Sequence, residues 1–367
     1  MNYTYNLKTD RKVQPGPNPS IMQLIFPSLN KTWTWSLLLF LMVMGSGCKQ
    51  EPRTSSTTTT ETPSFQPPSF QMDSAYQYVT DQVAFGSRVP GSEAHEACKD
   101  WIVAKLTSFG LNVIQQTFPA KLYTGTAVTG TNIIATINPD QNKRILLGAH
   151  WDSRFMAEQD VDESTRNQPI LGADDGASGV GVLLEIARLL AQSSIPLGVD
   201  IILFDVEDQG ERSGATETWC LGAQYWSRDP HVPGYMAKYG ILLDMVGAHD
   251  AEFPVEDLSN IPDYNAQVAG HVSAIYLKVW RLAQQMGKGN LFVKRYVVGG
   301  IDDHFFVSTI RGLPMIDIIN KPSNSATSFG SHWHTHQDNL DIIDPRTLRS
   351  VGQVVLAVIY REASGSL

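Results

Sequence analysis

The stretch Val199-Asp200-Ile201-Ile202-Leu203-Phe204-Asp205-Val206-Glu207-Asp208 constrains the fold more than any other. From Val199 to Val206 only Asp200 and Asp205 interrupt an apolar run, the pattern of a strand buried on both faces inside a sheet. The run ends in two adjacent acids, Glu207 and Asp208, followed by Gln209-Gly210-Glu211. In an open α/β sheet the carboxyl ends of the strands border the ligand crevice. Two neighbouring carboxylates at such an end can divide the work, one gripping a metal and the other moving protons. Taken alone, they fit a solvated loop as well.

The surrounding pattern is α/β. Residues 113–118, 132–137, 145–150, 241–246 and 314–319 read as further strands. Residues 74–85, 92–109, 179–191, 271–286 and 345–361 carry helical apolar spacing. The second of these helices should bury Trp101, Ile102, Leu106 and Phe109 and stop at Gly110. Strands alternating with helices of this length imply one domain over residues 72–367. Its expected architecture is a mostly parallel, twisted central sheet with helices on both faces.

Two segments precede that domain. Residues 32–47 are apolar, end in Gly-Ser-Gly and run into Cys48, with Lys31 as the nearby positive charge. The run is short for a membrane span and has the proportions of a secretory signal core, with Met1 or Met22 as the start. Cys48 after Gly-Ser-Gly resembles the lipobox of bacterial lipoproteins, although Gly45 stands where a branched aliphatic is usual. That resemblance implies an exported protein, lipid-anchored at Cys48 in the cell envelope, and Lys49 mildly favours the outer membrane. An uncleaved hydrophobic anchor is the other reading of residues 1–48. Residues 49–71, rich in Thr, Ser and Pro, hold too few apolar side chains for a core and read as a tether. The net charge of -9 and the lack of a basic stripe argue against nucleic acid as a partner. Cys98 and Cys220 fit one disulfide or two buried thiols.

Acids and histidines collect at the strand ends. Residues 145–153 end in His150-Trp151-Asp152-Ser153, and residues 171–179 carry Asp174-Asp175 into a helix start. Asp244 sits alone in the apolar Ile241-Leu242-Leu243-Asp244-Met245-Val246, and Ser331-His332-Trp333-His334-Thr335-His336 follows the last strand. Each has a plain structural alternative: a core histidine, a satisfied buried acid, a helix cap, a surface turn. Together, histidines and carboxylates without cysteine suit Zn²⁺ with a position left for substrate.

These motifs match, in order and approximate spacing, those of the zinc aminopeptidase superfamily, which the chain resembles from about Met72 to Leu367. Trp333 before His334, the Ile301-Asp302-Asp303-His304-Phe305-Phe306 segment and Trp219-Cys220-Leu221-Gly222-Ala223-Gln224-Tyr225-Trp226 resemble its glutaminyl-peptide cyclotransferase branch. The resemblance implies cyclisation of N-terminal glutamine of peptides or proteins to pyroglutamate with loss of ammonia. It implies one zinc held by Asp175, Asp208 and His334, with Glu207 as the proton carrier. Asp208 departs from the more frequent Glu at its position. Asp244 and Asp302 would join Glu207 in a cluster of acids, with Asp303 as the substitute if the register slips by one. Trp219 and Trp333 would line the pocket. The alternative is a two-zinc aminopeptidase, in which His150 and Asp244 become ligands, Asp175 bridges and Glu207 activates water; His150 and Asp152 otherwise lie behind the site. A third reading is a non-catalytic binding lipoprotein on the same fold.

Overall fold

The computed structural model describes residues 66–212, 215–258 and 261–367. The expected signal segment, Cys48 and most of the tether lie outside the described residues.

The strands are β1 (Asn112–Lys121), β2 (Ala127–Ile137), β3 (Arg144–His150), β4 (Gly198–Phe204), β5 (Gly240–Asp244), β6 (Phe253–Asp257), β7 (Phe292–Val298) and β8 (Met315–Ile319). Six of them form one sheet in the order β1-β2-β4-β3-β5-β8, while β6 and β7 pair in parallel as a separate sheet. Both neighbours of β3, and the β5–β8 pair, are parallel; β2 runs antiparallel to β1 and β4. β4 is buried at every residue and lies inside the sheet, as its apolar run predicts. Asp200 within it and Asp205 just after it are both satisfied. Asp200 accepts from Arg144 at 2.7 and 2.8 Å and from the Tyr235 hydroxyl at 2.7 Å. Asp205 accepts from the Thr131 and Val206 amides at 2.6 and 2.8 Å and lies 2.9 Å from His95 Nε2.

The helices are α1 (Met72–Ala84), α2 (Glu93–Ser108), α3 (Ala177–Leu190), α4 (Leu221–Arg228), α5 (Ala266–Gln285), α6 (Asp303–Phe306) and α7 (Pro345–Ser364). In α2, Ile102 and Leu106 are buried as expected, but Trp101 and Phe109 are only half-buried. They lie at the rim of an aromatic group with Tyr78 and Phe85, with the Lys105 ammonium over Trp101. Gly110 follows at φ +84°, ending the helix as the sequence predicts. α3 runs against β5 so closely that a Cβ on Gly179 would stand 2.2 Å from the Leu243 carbonyl oxygen. Only glycine permits that approach, and it fixes Asp175, just before α3, beside the end of β5. Cys98 and Cys220 are both free thiols and both buried. No helix among the described residues is long and apolar enough to cross a membrane.

Candidate metal and acid-cluster site

The carboxyl ends of β4, β5 and β8 meet at a cavity of about 190 Å³. At the end of β4 the chain turns through Val206 at φ +57°, which takes the next two side chains out of the sheet. Positive φ recurs at Cys220, Met245 and His334, each beside or within the site. A non-glycine residue in that region is strained, and such residues concentrate where a side chain must be aimed.

Asp152 organises the turn after β4. Its carboxylate accepts from the Glu207 and Asp208 amides at 3.1 and 3.3 Å and from the Gln209 side chain at 3.0 Å. It therefore stands behind the site and is consumed there. Asp175, Asp208 and His334 present one oxygen or nitrogen each, all within 4.8 Å of one another, and all three line the cavity. Asp208 Oδ1 lies 3.0 Å from His334 Nε2, whereas Asp208 Oδ2 is buried with no hydrogen-bond partner. Burial pushes the Asp208 carboxyl up to about 6, with the Asp175 charge adding to the push and His334 opposing it. Two carboxylates and an imidazole, one oxygen orphaned and one side open to a cavity, fit a zinc ion with a free coordination position.

His150, Asp175 and Asp244 form a second such group. Here the ring is already engaged: His150 Nε2 lies 3.0 Å from Asp175 Oδ1 and 3.3 Å from Asp244 Oδ1, and His150 does not line the cavity. Asp174, beside Asp175, does a different job. It accepts from the Gly247 amide at 2.7 Å and lies 2.9 Å from His332 Nε2. His336 meets Asp160 at 2.6 Å, so of the three histidines in that loop only His334 reaches the cavity.

The acids expected to work together do lie together. Glu207, Asp244 and Asp302 line one cavity, and a Glu207 oxygen and an Asp302 oxygen come within 4.8 Å of each other beside Cys220. The Cys220 thiol donates to Glu207 Oε1 at 3.3 Å. Asp302 Oδ1 accepts from the Asp303 amide, capping α6, while Asp302 Oδ2 is buried without a partner. Asp303 is fully buried and does not line the cavity. Burial holds Glu207 well above the usual carboxylate range; His150 pulls it down, and Asp208, Asp302 and Asp303 push it further up. Burial likewise raises Asp244 to about 8, with the His150 contact opposing and Asp302 adding. Closely spaced carboxyls in a dry site share protons in this way.

Trp219 and Trp333 both line the cavity. The Trp333 ring stacks on His334 at 3.9 Å and packs against Phe329 at 4.6 Å. Trp219 lies over the turn after β4, where a Cβ on Gly210 would stand 2.1 Å from its ring.

Arg154 and Glu158 carry no motif that marks them in the sequence. Arg154 is fully buried and binds the Glu158 carboxylate through Nε at 3.0 Å and Nη2 at 2.7 Å. Its Nη1 donates to the Asp208 and Gly210 carbonyls at 2.9 Å each, and its guanidinium packs 4.7 Å from the Trp219 ring. Glu158 Oε1 in turn lies 3.0 Å from His334 Nδ1. One guanidinium thus ties the Asp208 turn, the His334 ring and the Trp219 wall together. Glu158→Gln is expected to weaken zinc binding roughly 10–100-fold by releasing the His334 ring. Chelator competition measures it, and unchanged affinity would remove Glu158 from this role. The spacing of four between Arg154 and Glu158 was the available signal, but it lies in an irregular loop far in sequence from His334.

The pattern described as Peptidase family M28 matches residues 132–359. A glutaminyl cyclase of known structure from Bacteroides thetaiotaomicron is 45% identical, with a TM-score of 0.75, covering 80% of this chain and 99% of its own. A Zn-dependent exopeptidase from Parabacteroides distasonis is also 45% identical, with a TM-score of 0.76 and the same coverage. The glutaminyl-peptide cyclotransferase of Gloydius blomhoffii is 29% identical over 300 residues, 73% of this chain and 75% of that protein.

Proposed function

The chain belongs to peptidase family M28, and we infer that within it the protein is a zinc-dependent glutaminyl-peptide cyclotransferase. It converts the N-terminal glutamine of peptides to pyroglutamate with release of ammonia, as its glutaminyl cyclase relatives are named for doing. The observation that carries the reading is the second acid, Asp302, set against Glu207 in a small cavity walled by Trp219, Phe329 and Trp333.

Asp175, Asp208 and His334 would hold one zinc. When bound, it supplies Lewis acidity toward the γ-carboxamide oxygen. The chain's own groups do the rest. The two tryptophans confine a compact glutaminyl end and hold its α-amine near its own side-chain carbonyl, so ring closure becomes a matter of position. Glu207 accepts a proton from the attacking amine and delivers it to the departing nitrogen. Burial, which holds this acid above the usual carboxylate range, makes it a stronger base toward that proton than an exposed carboxylate. Asp244, raised to about 8, would keep its proton and donate a hydrogen bond within the cluster. His150, unlike His334, does not line the cavity, so it would hold Asp175 and Asp244 in place from behind rather than bind a second ion. Export and lipid attachment through Cys48 belong to the same reading, supported by the apolar run and the lipobox-like sequence alone.

The two-zinc aminopeptidase keeps a specific observation in its favour, the His150, Asp175 and Asp244 group. The test is to incubate the purified full-length chain with a Gln-initiated and a Leu-initiated peptide and follow both by mass spectrometry. Loss of one ammonia from the first, with the second untouched, is the expected result. Release of free leucine would make the protein an aminopeptidase and move His150 and Asp244 into the metal site. Inertness toward both, with zinc present, would leave a binding protein.

A further inference from the structure

The cavity has one exposed lip. Of the twelve described residues that line it, only Ile301 is exposed, at 42%. Behind Ile301 the chain runs through Gly300 and Gly299 into β7, whose alternating burial leaves Tyr296 64% and Val298 75% exposed. Single exposed apolar residues are ordinary, but three within six positions that start at a cavity mouth form a strip. Among the described residues β7 pairs only with β6, so its other edge carries unpaired backbone groups.

The lip is held in place from below. Glu256, buried on β6, accepts from the Gly300 amide at 2.9 Å and from the Lys321 ammonium at 2.7 Å. A Cβ on Gly300 would stand 3.0 Å from that ammonium, so the glycine is seated on the ion pair. The strip is therefore a fixed extension of the site.

We propose that this strip is the docking track for the polypeptide that follows the N-terminal glutamine, and that it selects substrates with apolar residues downstream. The proposal rests on the cyclase reading, in which only the terminal residue reacts and the rest of the chain must leave by the open side. At about 3.3 Å per extended residue, a substrate running from Ile301 along β7 passes Val298 and Tyr296 with roughly its third to sixth residues. An extended peptide on a free strand edge gains main-chain hydrogen bonds, and side chains at alternate positions supply selectivity. Leu258 and Ile261 pack against Gly299, where a Cβ would stand 2.6 and 2.8 Å from them, so apolar side chains flank that path as well.

The test uses full-length protein, a Gln-initiated dipeptide amide, and two Gln-initiated octapeptides with either Leu/Val or Gly/Ser at positions three to six. The unaltered protein should favour the Leu/Val octapeptide over the dipeptide by about tenfold in kcat/KM. The double variant Tyr296→Ser, Val298→Asp changes exposed side chains outside the cavity. It should abolish that advantage through KM while leaving the dipeptide and the Gly/Ser peptide within about twofold. Equal kcat/KM for all three peptides in the unaltered protein would overturn the proposal, as would equal losses on dipeptide and octapeptide in the variant. A concentration-dependent dimer that the variant dissolves would assign the strip to a second copy of the chain instead. Failure of the unaltered protein to cyclise even the dipeptide would overturn the cyclase reading and this extension together, before any variant is made.

Discussion

Glu207→Gln is expected to lower kcat on a Gln-initiated peptide by roughly 10²–10⁴-fold while zinc remains bound. The substitution keeps the side chain's shape and leaves an oxygen to accept from Cys220, which now donates to Glu207 Oε1. What disappears is the group that takes and returns a proton. No ligand disappears, because Asp175, Asp208 and His334 form the metal group without it. The metal-free protein gives a second readout. Burial holds the Glu207 carboxyl well above its unfolded value, so ionising it costs stability once the pH passes that of an unfolded glutamate, about 4.3. Glutamine has no such cost. The variant should therefore melt at or above the unaltered protein's temperature at neutral pH, with the difference fading below about pH 4. Loss of zinc from Glu207→Gln would mean that Glu207 and Asp208 have exchanged roles.

The parts legible in the sequence are those in which local pattern and function coincide. β4 and its terminal acids are readable because a strand buried on both faces has no polar alternation to confuse it, and the acids abruptly break the run. Asp244 is readable for the same reason, as charge where the surrounding apolar pattern leaves no room for it, whereas Asp175 is readable only as an acid carried into a helix start. Three other features were not legible. β7 alternates like any half-exposed strand, and nothing in Phe292–Val298 says that it pairs with β6 outside the main sheet. Arg154 and Glu158 look like an ordinary loop ion pair until the fold brings His334 to them across 176 positions. The thiols were open in the sequence, and burial of Cys220 against Glu207 decides that point. Local composition thus exposes groups out of place in their own segment, whereas groups placed by tertiary contact look ordinary until the contact is seen.

Asp302→Ala is expected to cost at least about 100-fold in kcat on a Gln-initiated peptide without releasing zinc, since Asp302 belongs to no group that includes His334. Alanine, however, changes two things. Asp302 Oδ1 caps α6 by accepting from the Asp303 amide, while Oδ2 is buried without a partner beside Glu207. Losing the cap should lower stability by about 1 kcal/mol, a shift in melting temperature that says nothing about chemistry. Asp302→Asn separates the two effects. Its carbonyl oxygen keeps the cap and restores the melting temperature, but it replaces the second carboxyl group beside Glu207 with a neutral amide. Activity should therefore stay low in Asp302→Asn while stability returns. Asp303→Asn provides the contrast, because Asp303 is sealed away from the cavity and should lose far less activity. In a two-zinc aminopeptidase the order would differ: Asp244 and His150 would matter through the metal, and Asp302 would be nearly silent. An unaffected rate in Asp302→Asn would thus count against the cyclase assignment itself, and a collapse in Asp303→Asn alone would shift the acid by one residue along α6.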